Sequence, residues 1–126
     1  MILSSPQIRS ALQSLQKERQ ALLKTLQDAR PLLIGTVYDV LRRCGNPSCR
    51  CAAKPTHRQT LFLSTHQGKR RCQFVRQKDV QTVRRAWERY REFRKALKQI
   101  RAINLREWKL LLAKMKKRGV TYNQLI

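Results

Sequence analysis

The stretch CGNPSCRCAAKPTH, residues 44–57, places three cysteines within eight positions and a histidine six residues after the last of them. Gly45, Asn46 and Pro47 fill the first gap with turn-forming residues, so the chain can fold back and bring separated sulfurs to one point. A tetrahedral Zn2+ ion is the natural occupant of such a point. It needs four soft or borderline donors at about 2.0–2.3 Å, and three thiolates plus one imidazole make an ordinary structural set. Cys44, Cys49 and Cys51 supply the thiolates. The fourth donor is open on spacing alone. His57 is nearest, with Pro55 turning the chain back toward it, and Cys72 is the rival. Cys72 also has a plainer reading as a small buried thiol on the same strand face as Phe74, and a cluster without metal is a further one. His66 reads as a solvated turn residue.

Other chemistries for the cluster fit less well. Cys49 and Cys51 are one residue apart, and a reducing compartment disfavours disulfides. A nucleophilic or redox thiol would gain from Arg43 and Arg50, whose charges lower a thiol pKa. The chain has no apparent acid/base partner set or glycine-rich phosphate loop, and its seven carboxylates are mostly dispersed over predicted helices. A site that uses four protein donors has no open position for substrate, so the zinc is expected to be single and structural, with no catalytic residue.

Outward from the cluster, the flanks set the architecture. The segment 34–44, IGTVYDVLRRC, mixes β-branched and aromatic residues after a proline and suits a strand. TLFLST (60–65) and RCQFVR (71–76) flank HQGK, where Gly68 can take a positive φ, which predicts a β-hairpin. Ser5 before Pro6 marks a helix start, and the helix runs to about Ala29, ahead of Pro31. Ile8, Leu12, Leu15, Leu22 and Leu26 form its apolar stripe, interrupted by Arg19.

From Lys78 or Asp79 to Arg118 there is no Gly or Pro, and Gly119 stands where a left-handed cap is wanted. Val80, Val83, Trp87, Tyr90, Phe93, Leu97, Ile100, Ile103, Trp108, Leu111 and Met115 give that helix its packing stripe. It spans roughly 60 Å, more than the first helix can cover. A second subunit or another partner is expected over the remainder.

The fold expected is α+β and mostly helical: an N-terminal helix, a small antiparallel zinc-knuckle sheet of about three strands, and a long C-terminal helix packing on the first. A chain of 126 residues is the size of one domain. Within it, residues 1–30 form the first helix, 34–77 the knuckle unit, 78–119 the long basic helix and 120–126 a tail.

The formal net charge is +22. Residues 1–41 carry five Lys/Arg against three acids, and residues 42–126 carry twenty-four against four. Charge at that density calls for a polyanion, with nucleic acid the first choice and an anionic membrane surface the second. No apolar run approaches the roughly 20 residues of a membrane span, and the start lacks the pattern of a secretory leader. An intracellular, cytoplasmic protein is expected.

The motif GTVYDVLRRCGNPSCRC, followed by KPTH, the hairpin and the long helix, resembles a family of small uncharacterised prokaryotic proteins. Its members carry Gly-x-x-Tyr, a basic pair, Cys-Gly-x-Pro-x-Cys-x-Cys and a downstream His, and some are encoded near mobile elements. The resemblance covers about residues 34–112. It implies His57 as the fourth ligand, since Cys72 has no counterpart in that pattern. After the histidine this chain has Arg58, Gln59 and Thr60 where members tend to have Gly-Pro-Tyr.

The function expected is non-enzymatic nucleic-acid binding. Arg42, Arg43, Arg50, Lys54, Arg58, Lys69, Arg70 and Arg71 near the knuckle, with Arg84, Arg85, Arg91, Arg94, Lys95 and Lys98 on the helix, would neutralise phosphates and release counterions. DNA is favoured slightly over RNA, in a transposition or recombination complex. The alternatives are a ribonucleoprotein subunit, a helical assembly protein that dimerises or binds an acidic protein, and a thiol enzyme or redox sensor.

Overall fold

The computed structural model describes residues 2–126 as a mostly helical α+β chain, 57% helix and 18% strand. Helix α1 (Ser5–Leu26) is followed by strands β1 (Thr36–Arg42), β2 (His57–His66) and β3 (Lys69–Phe74), the long helix α2 (Val80–Arg118) and a short α3 (Tyr122–Leu125). The chain groups into two compact units, one of residues 1–28 and 93–126 and one of residues 29–92.

The first unit pairs α1 with the later part of α2. The α1 cap is Ser4 rather than Ser5: its hydroxyl accepts from the Gln7 backbone N–H while the Gln7 side chain accepts from the Ser4 backbone N–H. The reciprocal box satisfies two donors at once and outcompetes the neighbouring serine, which becomes the first helical residue. The helix ends at Leu26, three residues before Ala29. Ile8 and Leu15 on α1 and Ala96 and Ile103 on α2 are buried. Arg19 does interrupt the apolar stripe, and it has partners there. Its guanidinium donates to Asn104 Oδ1 at 2.9 and 3.2 Å and to Glu107 Oε2 at 2.6 Å.

Not all of the α2 stripe packs. Leu97, Trp108, Leu111 and Met115 stay exposed, as does Leu105. At 100° per residue, Trp108 and Met115 are turned about 120–140° from Ile103, so a single neighbouring helix cannot cover both sides. Gly119 is not left-handed; its N–H continues the helical pattern to Met115 O at 3.0 Å. The segment read as a tail contains a helical turn, boxed by Thr121 and Gln124.

The second unit is an antiparallel sheet in the order β1-β2-β3 with the opening turns of α2. Thr36 to Arg42 pair with Leu63 to His57, and Leu61 to His66 pair with Phe74 to Lys69. The β2–β3 turn sits at Gln67 and Gly68, both with positive φ (51° and 78°), which matches the twist of a tight hairpin. Val37, Leu61, Thr60 and Cys51 are the buried residues.

Gly35 takes φ +152°, and a Cβ there would meet Leu63 O at 2.5 Å and the Phe62 ring at 2.6 Å. Its carbonyl accepts from Trp87 Nε1 at 2.8 Å, and Leu33 N–H donates to Ala86 O at 3.1 Å, so α2 is tied to the strand entry by main-chain groups. Asp39 completes the tie. It accepts from Arg84 Nη2 at 2.7 and 2.8 Å and from Thr60 Oγ1 at 2.8 Å.

Candidate metal centre

The site is built on the β1–β2 connection. Arg42 and His57 are the last paired residues of the two strands, so the ladder fixes both ends of the loop. Cys44 lies two residues beyond Arg42, and Gly45 (φ +83°) then reverses the chain in open space. Asn46 holds the turn, its side chain accepting from Ser48 N at 3.0 Å and its carbonyl from Cys49 N at 3.1 Å. A short 3-10 turn, Arg50–Ala52, carries Cys51 inward to complete burial. Arg43 Nε donates to Cys51 O at 3.2 Å and pins the turn to the strand end.

These local choices bring the ligand atoms of Cys44, Cys49, Cys51 and His57 within 4.8 Å of one another. Cys44 and Cys51 sulfurs are 3.4 Å apart, and Cys49 Sγ is 3.3 Å from His57 Nε2. A tetrahedron with bonds of about 2.0–2.3 Å has edges of about 3.3–3.8 Å, so the group could hold one ion with adjustments of about 1 Å. Nitrogen and sulfur are donors suited to zinc and to other borderline or soft metals.

The electrostatics suit thiolates at two positions. The Asn46 backbone N–H, then the Cys51 thiol, hold the Cys44 pKa below its ordinary value. The Cys51 backbone N–H, then His57, do the same for Cys49. For Cys51 the backbone N–H of Cys44, at 3.1 Å, pulls down, but burial and the two neighbouring sulfurs outweigh it and the thiol is raised. A cation among the three would reverse that penalty.

Cys72 is outside the group. It is exposed on β3, opposite Leu63, with the Tyr38 hydroxyl 3.7 Å from its sulfur. The reading of Cys72 as a buried thiol is therefore corrected: β3 is an edge strand and every residue on it is exposed. All four cysteines are free.

The model for the domain of unknown function DUF6788 matches residues 12–85, more than half of the chain. The chain belongs to the DUF6788 family. No curated protein and no solved structure matches it. The DUF6788 region contains all four candidate ligands, Gly35 and the whole sheet, and it stops just after α2 begins.

Around this centre the unit of residues 29–92 is strongly basic. Arg42, Arg43, Arg50, Lys54, Arg58, Lys69, Arg70 and Arg71 are all exposed, as are Arg85 and Arg91 on α2. Arg84 is committed to Asp39, which Arg58 also approaches at 3.8 Å. Arg91 lies over the Trp87 ring, 4.9 Å from its centroid. Arg94, Lys95 and Lys98 are exposed but belong to the other unit.

The charge asymmetry along the sequence disappears in space. Residues 29–92 hold fifteen Lys/Arg against four acids, and the other unit holds fourteen against three, a net of +11 each. Spacing alone missed the role of Gly35. Its signal was the glycine at the entry to a β-branched run, where only a close backbone approach would require one. No helix is long and apolar enough to cross a membrane among the described residues.

Proposed function

We propose that this chain is a non-enzymatic nucleic-acid-binding protein whose sheet is held by one structural zinc ion on Cys44, Cys49, Cys51 and His57. The observation that carries the reading is the exposed basic set around the candidate centre: eight Lys/Arg from Arg42 to Arg71 with no acid in that span, the nearest being Asp39 just before it. Cations at that density repel one another, and a phosphate chain relieves the repulsion while releasing its own counterions. The zinc would act through shape, fixing the loop that carries Arg43, Arg50 and Lys54. Four protein donors leave it no open position for chemistry. A DNA partner in a mobile-element complex is what the resemblance adds, and it rests on that resemblance alone.

The test is purification without nuclease, with zinc measured per chain and the retained nucleic acid sequenced. Log affinity for that nucleic acid falls with log salt by about 0.7–0.9 per phosphate contacted. A flat salt response ends the proposal.

A second reading, a helical assembly protein with an acidic protein partner, draws on the exposed Leu97, Leu105, Trp108, Leu111 and Met115 beside basic residues of α2. It requires a stable assembly whose sedimentation ignores added DNA and RNA.

A further inference from the structure

Phe74 closes the edge strand β3 with 66% of its surface open to solvent. An exposed aromatic ring yields little burial energy and leaves its face open to a partner. The guanidinium of Arg42 lies over the ring, 5.2 Å from its centroid. That contact leaves most of the ring uncovered. Beside it lies a cavity of about 300 Å3 lined by Phe62, Gln73, Phe74, Arg76, Asp79 and Val83, among others. This is the low end of the volume range for small-molecule sites, suited to one ring system rather than an extended ligand.

The lining has two kinds of chemistry. Phe62, Phe74 and Val83 offer flat or apolar contact. Gln73 can donate and accept, Arg76 donates, and Asp79 accepts, so the polar groups can meet the mixed donor and acceptor edge of a heterocycle. Arg70 on the same strand and Arg42 on β1 are exposed on the sheet face that carries Phe74, open to phosphates.

We infer that this cavity takes one unstacked nucleobase, stacked on Phe74, from a single strand whose phosphates lie along Arg42 and Arg70. The inference deepens the nucleic-acid reading above and rests on it. A base inside a duplex shows only its edge in a groove, whereas an aromatic platform needs an open π-face. A free nucleotide would bring the same base and phosphate chemistry, and DNA and RNA strands share it.

The test uses the full, zinc-replete chain and fluorescence anisotropy on four probes: a mixed-sequence DNA single strand, the same sugar–phosphate strand without bases, its duplex, and the RNA strand. The base-bearing single strand should bind about ten times or more tighter than the abasic strand and tighter than the duplex. Phe74→Ala should abolish that gap, a loss of about ten- to a hundredfold, within the range for one aromatic–base stack. It should leave abasic affinity and salt slope unchanged, and Phe74→Trp should keep the gap. Because Phe74 is exposed, the alanine variant is expected to fold, and its circular dichroism should match the parent.

A larger Phe74-dependent gap with the RNA strand assigns the pocket to RNA, and a larger one with DNA to DNA. Competition by a mononucleotide at strand-like affinity would assign it to free nucleotide and overturn the strand. Equal binding of base-bearing and abasic strands, or a preference for duplex, overturns the pocket and leaves the phosphate reading standing. No binding to any probe removes both.

Discussion

The two compact units are held by different means. In residues 1–28 with 93–126, a narrow apolar seam of Ile8, Leu15, Ala96 and Ile103 is joined by polar contacts, from Arg19 to Asn104 and Glu107 and from Lys117 Nζ to the Leu3 carbonyl. In residues 29–92 the buried apolar set is no larger, and one of its members, Cys51, belongs to the candidate metal centre. That unit relies instead on main-chain ties, a close backbone approach at Gly35, a carboxylate shared by Thr60 and Arg84, and the cysteine–histidine group. Small sheets bury too little to stand alone, so specific bonds, and an ion at the candidate centre where bound, would replace bulk burial, whereas a helix pair can rely on its seam.

The contrast can be broken most forcefully by stripping the metal. Zinc in small knuckles contributes on the order of 10 kcal/mol or more, comparable with the net stability of a whole domain. Chelation should therefore erase amide-exchange protection across β1 to β3 while protection in α1 and the later part of α2 persists. Loss of both together would show that the units do not differ in this way.

Gly35→Ala is the next largest. The added Cβ meets a carbonyl oxygen at 2.5 Å in a conformation that side chains avoid, and strain plus overpacking should cost about 3 kcal/mol or more in denaturant unfolding. Gly45→Ala, at a positive φ but in open space, is the matched control and should cost less.

Ile103→Ala sharpens the helical side of the comparison. Removing a buried isoleucine should cost about 2–4 kcal/mol, read as a lower unfolding midpoint for the helix pair with the zinc content unchanged.

The smallest effect is a pH dependence at Asp39. The hydrogen bonds from Arg84, then from Thr60, hold its carboxyl below the usual range. A depressed folded pKa means that its stabilising contribution is complete above the unfolded value, about 3.9, and is lost as pH falls through the folded one. The stability difference between the parent and Asp39→Asn should thus be steady from neutrality down to about pH 5 and shrink below about pH 4. Comparing the two proteins cancels any acid release of metal common to both.

Much of this architecture is local and was legible. The cysteine spacing, the Gly68 turn, the proline-marked first helix and the unbroken run to Arg118 each depend on neighbours within a few residues. Ser4-x-x-Gln7 and Thr121-x-x-Gln124 carry the spacing of capping boxes, but the adjacent Ser5-Pro6 pair offers a competing start and the last helix is only four residues long. What periodicity could not resolve is how much of a stripe finds a neighbour. Trp108 and Met115 have core-like spacing and stay exposed because burial depends on what lies opposite, not on the repeat. Cys72 and Phe74 alternate as a buried face would, yet their strand ends the sheet. The ties from Trp87 to Gly35 and from Arg19 to Glu107 join residues 52 and 88 positions apart. Nothing in a short window encodes such pairs.

His57 has two jobs, as the final rung opposite Arg42 and as a candidate ligand. Side chains alternate sides along a strand, so a slip of β1 against β2 by a single residue would carry the imidazole away from the sulfurs. Only the correctly registered ladder can then capture the ion, and capture in turn locks that alignment. The cation would serve this small sheet as a proofreader, retaining the one pairing among several that folds the rest of the unit.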